Sequence, residues 1–345
     1  MAPDKGIYHC FGGGNGGKAI NFIMEFEIIS FVEAIQELGD QFGVPVEFTG
    51  SDDSKEFFTH LYEIHQLAAD LYHETLFSNR GEEAKKYLLD RGLSEKSLKL
   101  FKVGLAPASS SYLWNAVKVK NYGREVLEKS GLFGFSNNDI YDRFRSRIMF
   151  PIWNASGKII AFGGRVFGTD DPAKYMNSPE TPLYIKSGIF YGLNLTRDAI
   201  RKNECAIMVE GYTDLIQLFQ AGIKNVVAVS GTAFTEKHVQ QIRRFSSKVY
   251  LAYDGDSAGI KASLRAGYVL LKGGVDPIVI EIPDGMDPDD WIQKDGGTKF
   301  KSIGIEKASG LLRFHLKTAG FKELSSSERS NVIKEILAED AGIPD

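Results

Sequence analysis

Between Ala206 and Ile282 short apolar runs alternate with helix-length stretches, and few folds satisfy that pattern. The runs are Ala206–Val209, Val226–Val229, Val249–Tyr253 and Ile278–Ile282; between them lie Tyr212–Ala221, Glu236–Phe245 and Ser257–Leu271. Uniformly apolar runs of this length suit strands buried on both faces, and the intervening helices are long enough to return the chain to the same edge. The expectation is an α/β fold: a parallel sheet with helices on both faces.

In open parallel sheets ligands bind beyond the carboxyl ends of the strands. Glu210 follows the first run, Asp254 and Asp256 the third, and Asp287 and Asp289 the fourth, so three of the four strand ends carry acids. Gathering several carboxylates is unfavourable unless a hard divalent cation takes them as oxygen ligands. Gly211 and Gly255 are expected to make tight turns that leave the carboxylates at the rim. Two acids have a simpler explanation as helix caps, Asp256 for the helix at Ser257 and Asp289 for the one containing Trp291. Capping does not account for the whole set.

The net charge of −4 conceals a division along the chain. From Arg143 to Lys202 ten Lys/Arg face four acids, and from Glu204 to Trp291 twelve acids face eight bases. A basic block beside an acidic one suits a surface that holds phosphates next to a site that holds cations. At 345 residues the chain exceeds one ordinary core. The expected division is a small N-terminal unit at 1–48, a polar linker at 49–54, a mixed α+β basic subdomain at 55–203, the acidic sheet at 204–292 and a helical segment at 293–345. Within this layout, helices are expected at 19–27, 30–42, 55–78 and 80–90, and strands at 147–153 and 158–162 about an Asn154–Gly157 turn.

Glu210-Gly211-Tyr212-Thr213-Asp214, followed by Asp254-Gly255-Asp256-Ser257-Ala258-Gly259, resembles the toprim module shared by bacterial primases, several topoisomerases and some nucleases. Three upstream segments narrow the choice: Asp142-Arg143-Phe144-Arg145-Ser146-Arg147-Ile148-Met149-Phe150-Pro151-Ile152, Phe162-Gly163-Gly164-Arg165-Val166 and Lys174-Tyr175-Met176-Asn177-Ser178-Pro179-Glu180-Thr181-Pro182. They resemble the basic subdomain of bacterial DnaG-type DNA primases, and the resemblance covers nearly the whole chain.

The resemblance implies a DNA-dependent RNA polymerase that makes short RNA primers on a single-stranded DNA template from ribonucleoside triphosphates. The implied chemistry is nucleotidyl transfer with two Mg2+ (or Mn2+) ions and no protein nucleophile. Glu210, Asp254 and Asp256 match the family's metal-binding acids, with Asp214, Asp287 and Asp289 supporting or completing the shell. Arg143, Arg145, Arg147, Arg165, Lys174 and Lys186 match basic positions that handle template or nucleotide phosphate, and Asn177 adds a neutral hydrogen bond. Other readings are a topoisomerase or toprim nuclease, and a non-catalytic single-stranded-DNA-binding remnant.

The N-terminal unit departs from the family's zinc module. Cys10 matches one ligand, Gly13 stands where its partner cysteine belongs, and the earlier Cys/His pair is absent. Tetrahedral zinc takes four ligands. The unit is therefore read as an incomplete remnant without zinc, with His9 a surface residue. Gly12-Gly13-Gly14-Asn15-Gly16-Gly17-Lys18-Ala19 imitates a phosphate-binding loop, but Ala19 lacks the hydroxyl for magnesium; the glycines are read as a flexible knuckle. The C-terminus stops short of the region that family members use to bind the replicative helicase. Two distant cysteines, Cys10 and Cys205, and the lack of a long apolar segment or secretion signal place the protein in the cytoplasm, with no membrane partner.

Overall fold

The computed structural model of the chain describes residues 6–9, 16–27, 34, 35, 38, 39, 42, 52–136, 139–229, 231 and 233–340. Cys10, Gly13 and most of the expected 30–42 helix lie outside the described residues. A short hairpin pairs β1 (Ile7–His9) with β2 (Gly16–Lys18) and leads into α1 (Ala19–Glu27), so Gly16 and Gly17 sit in a strand and not in a loose knuckle. His9 is exposed.

The long helix α2 (Asp52–Phe77) starts three residues before the expected 55–78 helix, so Asp52–Ser54 belong to it and not to a linker at 49–54; it buries Leu61, Ile64, Ala68, Tyr72 and Leu76, a spacing that returns one face every three or four residues. It is followed by α3 (Glu82–Asp90) and α4 (Glu95–Leu100), the latter capped by Ser94, whose Oγ accepts from the Ser97 N–H at 3.2 Å. The long helix packs on an antiparallel sheet of order β3-β6-β7-β8, formed by Gly104–Ala106, Arg147–Trp153, Ile159–Val166 and Tyr175–Asn177. The expected Asn154–Gly157 turn joins β6 to β7: Asn154 Oδ1 accepts from the Lys158 N–H at 2.8 Å, and Gly157 takes a positive φ of 82°. A separate hairpin pairs β4 (Phe133–Ser136) with β5 (Asp139–Asp142).

After α5 (Leu193–Asn203) comes the expected α/β unit, with sheet order β10-β9-β11-β12-β13. Strands β9 (Ala206–Val209), β10 (Val226–Ala228), β11 (Lys248–Leu251) and β12 (Asp276–Val279) are parallel, while β13 (Ser309–Gly310) runs antiparallel to β12. The intervening helices are α6 (Tyr212–Gln220), α7 (Glu236–Ile242) and α8 (Ser257–Lys272), followed by α9 (Pro288–Lys299), α10 (Leu311–Thr318) and α11 (Ser326–Asp340). Strand β13 lies in the segment expected to be wholly helical; two residues hold no periodic signal of their own.

The basic and acidic units share one apolar core, to which Phe150, Tyr191, Val209, Tyr212 and Trp291 all contribute. The backbones of Tyr191 and Ala228 also exchange hydrogen bonds of 2.9 and 3.2 Å. Among the described residues, no helix is long and apolar enough to cross a membrane.

Candidate active site

Three loops at the carboxyl ends of the parallel strands bring the acids together. Glu210 leaves β9 and is followed by Gly211, the N-cap of α6; Asp214, in the first turn, accepts the Gly211 N–H at 2.9 Å. Asp254 follows β11, and Asp256 caps α8 through Oδ1, which accepts from the Ala258 and Gly259 N–H groups at 2.9 and 2.8 Å. Asp287 caps α9 by accepting the Asp290 N–H at 2.6 Å. The cap of that helix is therefore Asp287 and not Asp289, because Pro288 begins the helix.

Close approach, rather than an unusual dihedral, explains the glycines. A Cβ on Gly255 would lie 2.3 Å from the Pro283 carbonyl oxygen, and one on Gly259 would lie 2.2 Å from the Asp254 carbonyl oxygen. Gly211 and Gly255 are absent from the positive-φ positions. The loop carrying Asp254 and Asp256 is thus pressed against both its neighbours.

Burial and mutual repulsion dominate the electrostatics. Glu210 is pushed up to about 7, first by burial and then by Asp254 and Asp256. Asp254 is pushed up to about 6 by burial and by Asp287, Asp256 and Asp290, with Lys174 opposing. Burial raises Asp287, and it raises Asp214 strongly, helped by Asp287, Asp254 and Asp289. Glu210 Oε1 is buried with no hydrogen-bond partner. Carboxylates in this condition fit a hard divalent cation, which would satisfy the orphaned oxygen and remove the repulsion together. Ligand oxygens of Asp214, Asp287 and Asp289 also come within 4.8 Å of one another.

A cleft of about 400 Å³ opens over the acids, lined by Glu210, Asp214, Asp254 and Asp287 together with Arg91, Arg165 and Lys174. Arg165 is only 8% exposed, its guanidinium bracketed by the Tyr87 and Tyr175 rings with centroids at 5.4 and 5.8 Å. Asn177 accepts the Tyr212 hydroxyl at 2.8 Å and its amide nitrogen faces Gly231 on the cleft wall. Basic and acidic side chains thus line one cleft.

The remaining expected residues lie elsewhere. Arg143 and Arg145 are exposed on the turn between β5 and β6, outside the cleft, with Arg145 stacked 5.7 Å over Tyr141. Lys186 begins a short turn and does not line the cleft. Arg147 is a correction to the expected phosphate set. Its side chain is 1% exposed and fully engaged, donating to Gly164 O at 3.2 Å, Ala173 O at 2.9 Å and Asp171 Oδ2 at 2.5 Å, so it braces the 167–174 loop instead of facing phosphate. Arg91, Tyr175 and Tyr212 were not expected in the site. The last two lie inside quoted motifs, but Arg91 follows an ordinary surface helix and meets its partner Asp289 across 198 positions, a relation that no local pattern reveals.

Sequence models of known families match three parts of the chain. Residues 71–197 match the N-terminal domain of the DNA primase catalytic core, 207–292 match a Toprim-like family, and 1–54 match the CHC2 zinc finger. The last match overturns the reading of the N-terminal unit as an incomplete remnant and of the chain as one without zinc; Cys10 lies outside the described residues and no zinc ligand set is assigned. DNA primase from Clostridium acetobutylicum is 39% identical over 339 residues, covering 97% of this chain and 56% of that protein, so the chain spans little more than half of its relative's length. The zinc-binding and RNA polymerase domains of Aquifex aeolicus primase superpose with a TM-score of 0.75 at 34% identity, covering the whole of this chain and 82% of that one. A DnaG primase catalytic domain bound to single-stranded DNA superposes with a TM-score of 0.73 at 32% identity, covering 84% of this chain and 92% of that one. With the motifs, the sheet order and the acidic cleft in agreement with these likenesses, the chain belongs to the bacterial DnaG-type DNA primase family.

Proposed function

We propose that this chain polymerises ribonucleotides into short primers on single-stranded DNA. The observation that carries the reading is the cleft that Glu210, Asp214, Asp254 and Asp287 line together with Arg91, Arg165 and Lys174. Acids and bases sharing one cleft suit a nucleoside triphosphate bound through divalent cations better than a neutral ligand or nucleic-acid binding alone.

In this reading Glu210, Asp254 and Asp256 hold Mg2+ or Mn2+, with Asp214 and Asp287 completing the shell. Two such ions supply activation of the primer 3′-hydroxyl and neutralisation of the departing pyrophosphate. Asp256 can serve both as cap and as ligand, because its capping bonds use only Oδ1. Arg165, Lys174 and Arg91 receive triphosphate oxygens, and Arg165 does so from a site already rigid and poorly hydrated, which strengthens charge-assisted bonds. Asn177, behind Gly231 of the cleft wall, holds Tyr212 in place and adds a neutral hydrogen-bonding group beside the site. Exposed Arg143 and Arg145 suit the template backbone, and Lys186 a more distant phosphate. The basic subdomain, expected at 55–203 and entered through the helix that starts at Asp52, and the toprim subdomain at 204–292 divide these tasks, while residues 1–48 and 293–345 form the flanking units. The likeness to a relative bound to single-stranded DNA supports the template assignment.

The test is incorporation of labelled ribonucleotides on single-stranded DNA with Mg2+, comparing the unaltered chain with Glu210→Gln and Asp256→Asn. Each substitution is expected to lower synthesis by about a thousand-fold while leaving DNA binding in place. Unchanged synthesis in both variants would sink the metal assignment. DNA binding without synthesis by the unaltered chain would favour a non-catalytic binding protein.

A further inference from the structure

Glu210 and Tyr253 lie side by side on one face of the parallel sheet. Leu251 of β11 pairs with Met208 of β9, and the Ala252 N–H donates to the Met208 carbonyl at 2.9 Å, so the register carried two residues on sets Tyr253 next to Glu210. Side chains alternate between the two faces of a strand, and Met208, Leu251 and Tyr253 all enter the same apolar cluster; Glu210, two positions after Met208, therefore projects on that face as well. On its other flank lies Val229, because Ala228 of β10 pairs with Val209. Val229 has no side-chain donor, so Tyr253 is the polar neighbour of Glu210 across the strands.

Both side chains end in a buried atom without a partner. Glu210 Oε1 and Tyr253 Oη each lack a hydrogen bond, and Tyr253 is 5% exposed. A buried hydroxyl in that condition is less favourable than the phenylalanine that would fill the same space, so packing alone does not account for a tyrosine. The two groups already sense each other: the hydroxyl is pushed up first by burial and then by the Glu210 charge, and it remains a donor.

We infer that Tyr253 is a positioning residue for Glu210, its hydroxyl donating to the buried carboxylate oxygen when that carboxylate holds a divalent ion. The inference rests on the reading of Glu210 as a metal ligand. The two atoms are not joined in the structure, so the bond is one that ion binding completes. A single bond satisfies both, and a carboxylate oxygen has two lone pairs, so Oε1 can accept the hydroxyl and face an ion together. An ionised acceptor makes the bond strong, and it holds the carboxylate in one orientation, as hydrogen bonds behind metal ligands commonly do. Tyr253 touches neither the ion nor the nucleotide in this role.

The test titrates the full chain with Mn2+ and reads the electron paramagnetic resonance signal of the free ion. Tyr253→Phe keeps the ring and is expected to lower Mn2+ affinity by about ten-fold. Tyr72→Phe removes another buried hydroxyl without a partner, in the core of the basic subdomain, and is expected to leave the affinity unchanged. With chelator present, Tyr253→Phe should melt at or above the temperature of the unaltered chain, because an unpaired hydroxyl has gone. A tyrosine that only packs predicts the same melting with unaltered Mn2+ affinity, and that outcome overturns the inference.

Crystals of the unaltered chain grown with Mn2+ decide the point without any substitution. Tyr253 Oη within about 3.0 Å of a Glu210 oxygen supports the inference, and a Glu210 that holds Mn2+ with no bond from Tyr253 overturns it. Mn2+ bound away from Glu210 overturns the inference and the metal assignment together. In primer synthesis Tyr253→Phe is expected to need about ten-fold more Mg2+ for half-maximal rate, with ribonucleotide KM unchanged at saturating Mg2+. A loss that added Mg2+ does not restore is evidence against positioning and overturns it. Should the unaltered chain make no primers, the polymerase reading fails while the Mn2+ measurements still decide whether Tyr253 supports Glu210.

Discussion

The Tyr212 hydroxyl donates to Asn177 Oδ1 at 2.8 Å, tying the loop that bears Glu210 and Asp214 to the edge strand of the basic sheet. The Tyr212 ring lies parallel to Phe150, with centroids 4.9 Å apart and planes 6° from parallel, and it fits only because position 163 is glycine: a Cβ there would stand 2.3 Å from Tyr212 Cζ. One aromatic side chain therefore sets the relation between the acidic and basic halves of the cleft.

Gly163→Ala is accordingly expected to force Tyr212 aside, costing about 1–3 kcal/mol by overpacking and lowering primer synthesis well beyond the loss in stability. Tyr212→Phe, which keeps the ring, should cost only about 1 kcal/mol. Thermal melts and ribonucleotide incorporation on both variants check this. Equal activity in Gly163→Ala and the unaltered chain would show that the ring does not position the acids.

The raised carboxyls give a definite pH dependence. Glu210 rises from 4.5 to about 7 and Asp254 from 3.8 to about 6, so between roughly pH 4 and 7 the folded, metal-free chain binds more protons than the unfolded one. Their contribution to stability is therefore greatest at the acid end of this window, falls as pH rises through it and levels off above it. Mg2+ replaces the protons, so it should raise the melting temperature more at pH 8 than at pH 5. Melting curves with chelator and with Mg2+ at the two pH values test this; an equal rise at both contradicts it.

The three neighbouring arginines should separate cleanly. Arg147→Ala empties a buried position and leaves the Gly164 and Ala173 carbonyls without their donor, while Asp171, 40% exposed, returns to solvent; it is expected to cost about 2–4 kcal/mol of stability. Arg143→Ala and Arg145→Ala should leave melting nearly unchanged but weaken single-stranded DNA binding and reduce the dependence of log K on log salt by about 1 unit each at most. Fluorescence anisotropy over a salt series gives the comparison, and a shallow Arg147 effect on melting would remove its bracing role.

Arg165→Lys keeps the charge but loses the planar face that Tyr87 and Tyr175 bracket. Ribonucleotide KM is expected to rise by about ten-fold with a small change in melting temperature, as for loss of one well-placed charge-assisted contact. Steady-state kinetics on a fixed template measure it, and an unaltered KM would exclude phosphate binding by this residue.

The sequence by itself determined the alternating α/β unit, the antiparallel β6–β7 pair and the placing of acids at strand ends, because each follows from local periodicity and from which residue comes next after a strand. The motif resemblance carried the family. Tertiary structure alone decided which charged residues share the cleft. Arg147 and Arg165 look alike in sequence, yet one is buried against Asp171 and the other is bracketed between two rings. Asp289 and Asp287 are two positions apart, yet Pro288 makes Asp287 the cap and turns Asp289 inward to Arg91. Such outcomes depend on partners 24 to 198 positions away, and whether a charge is solvated, paired or left facing a ligand is fixed only by what packs against it.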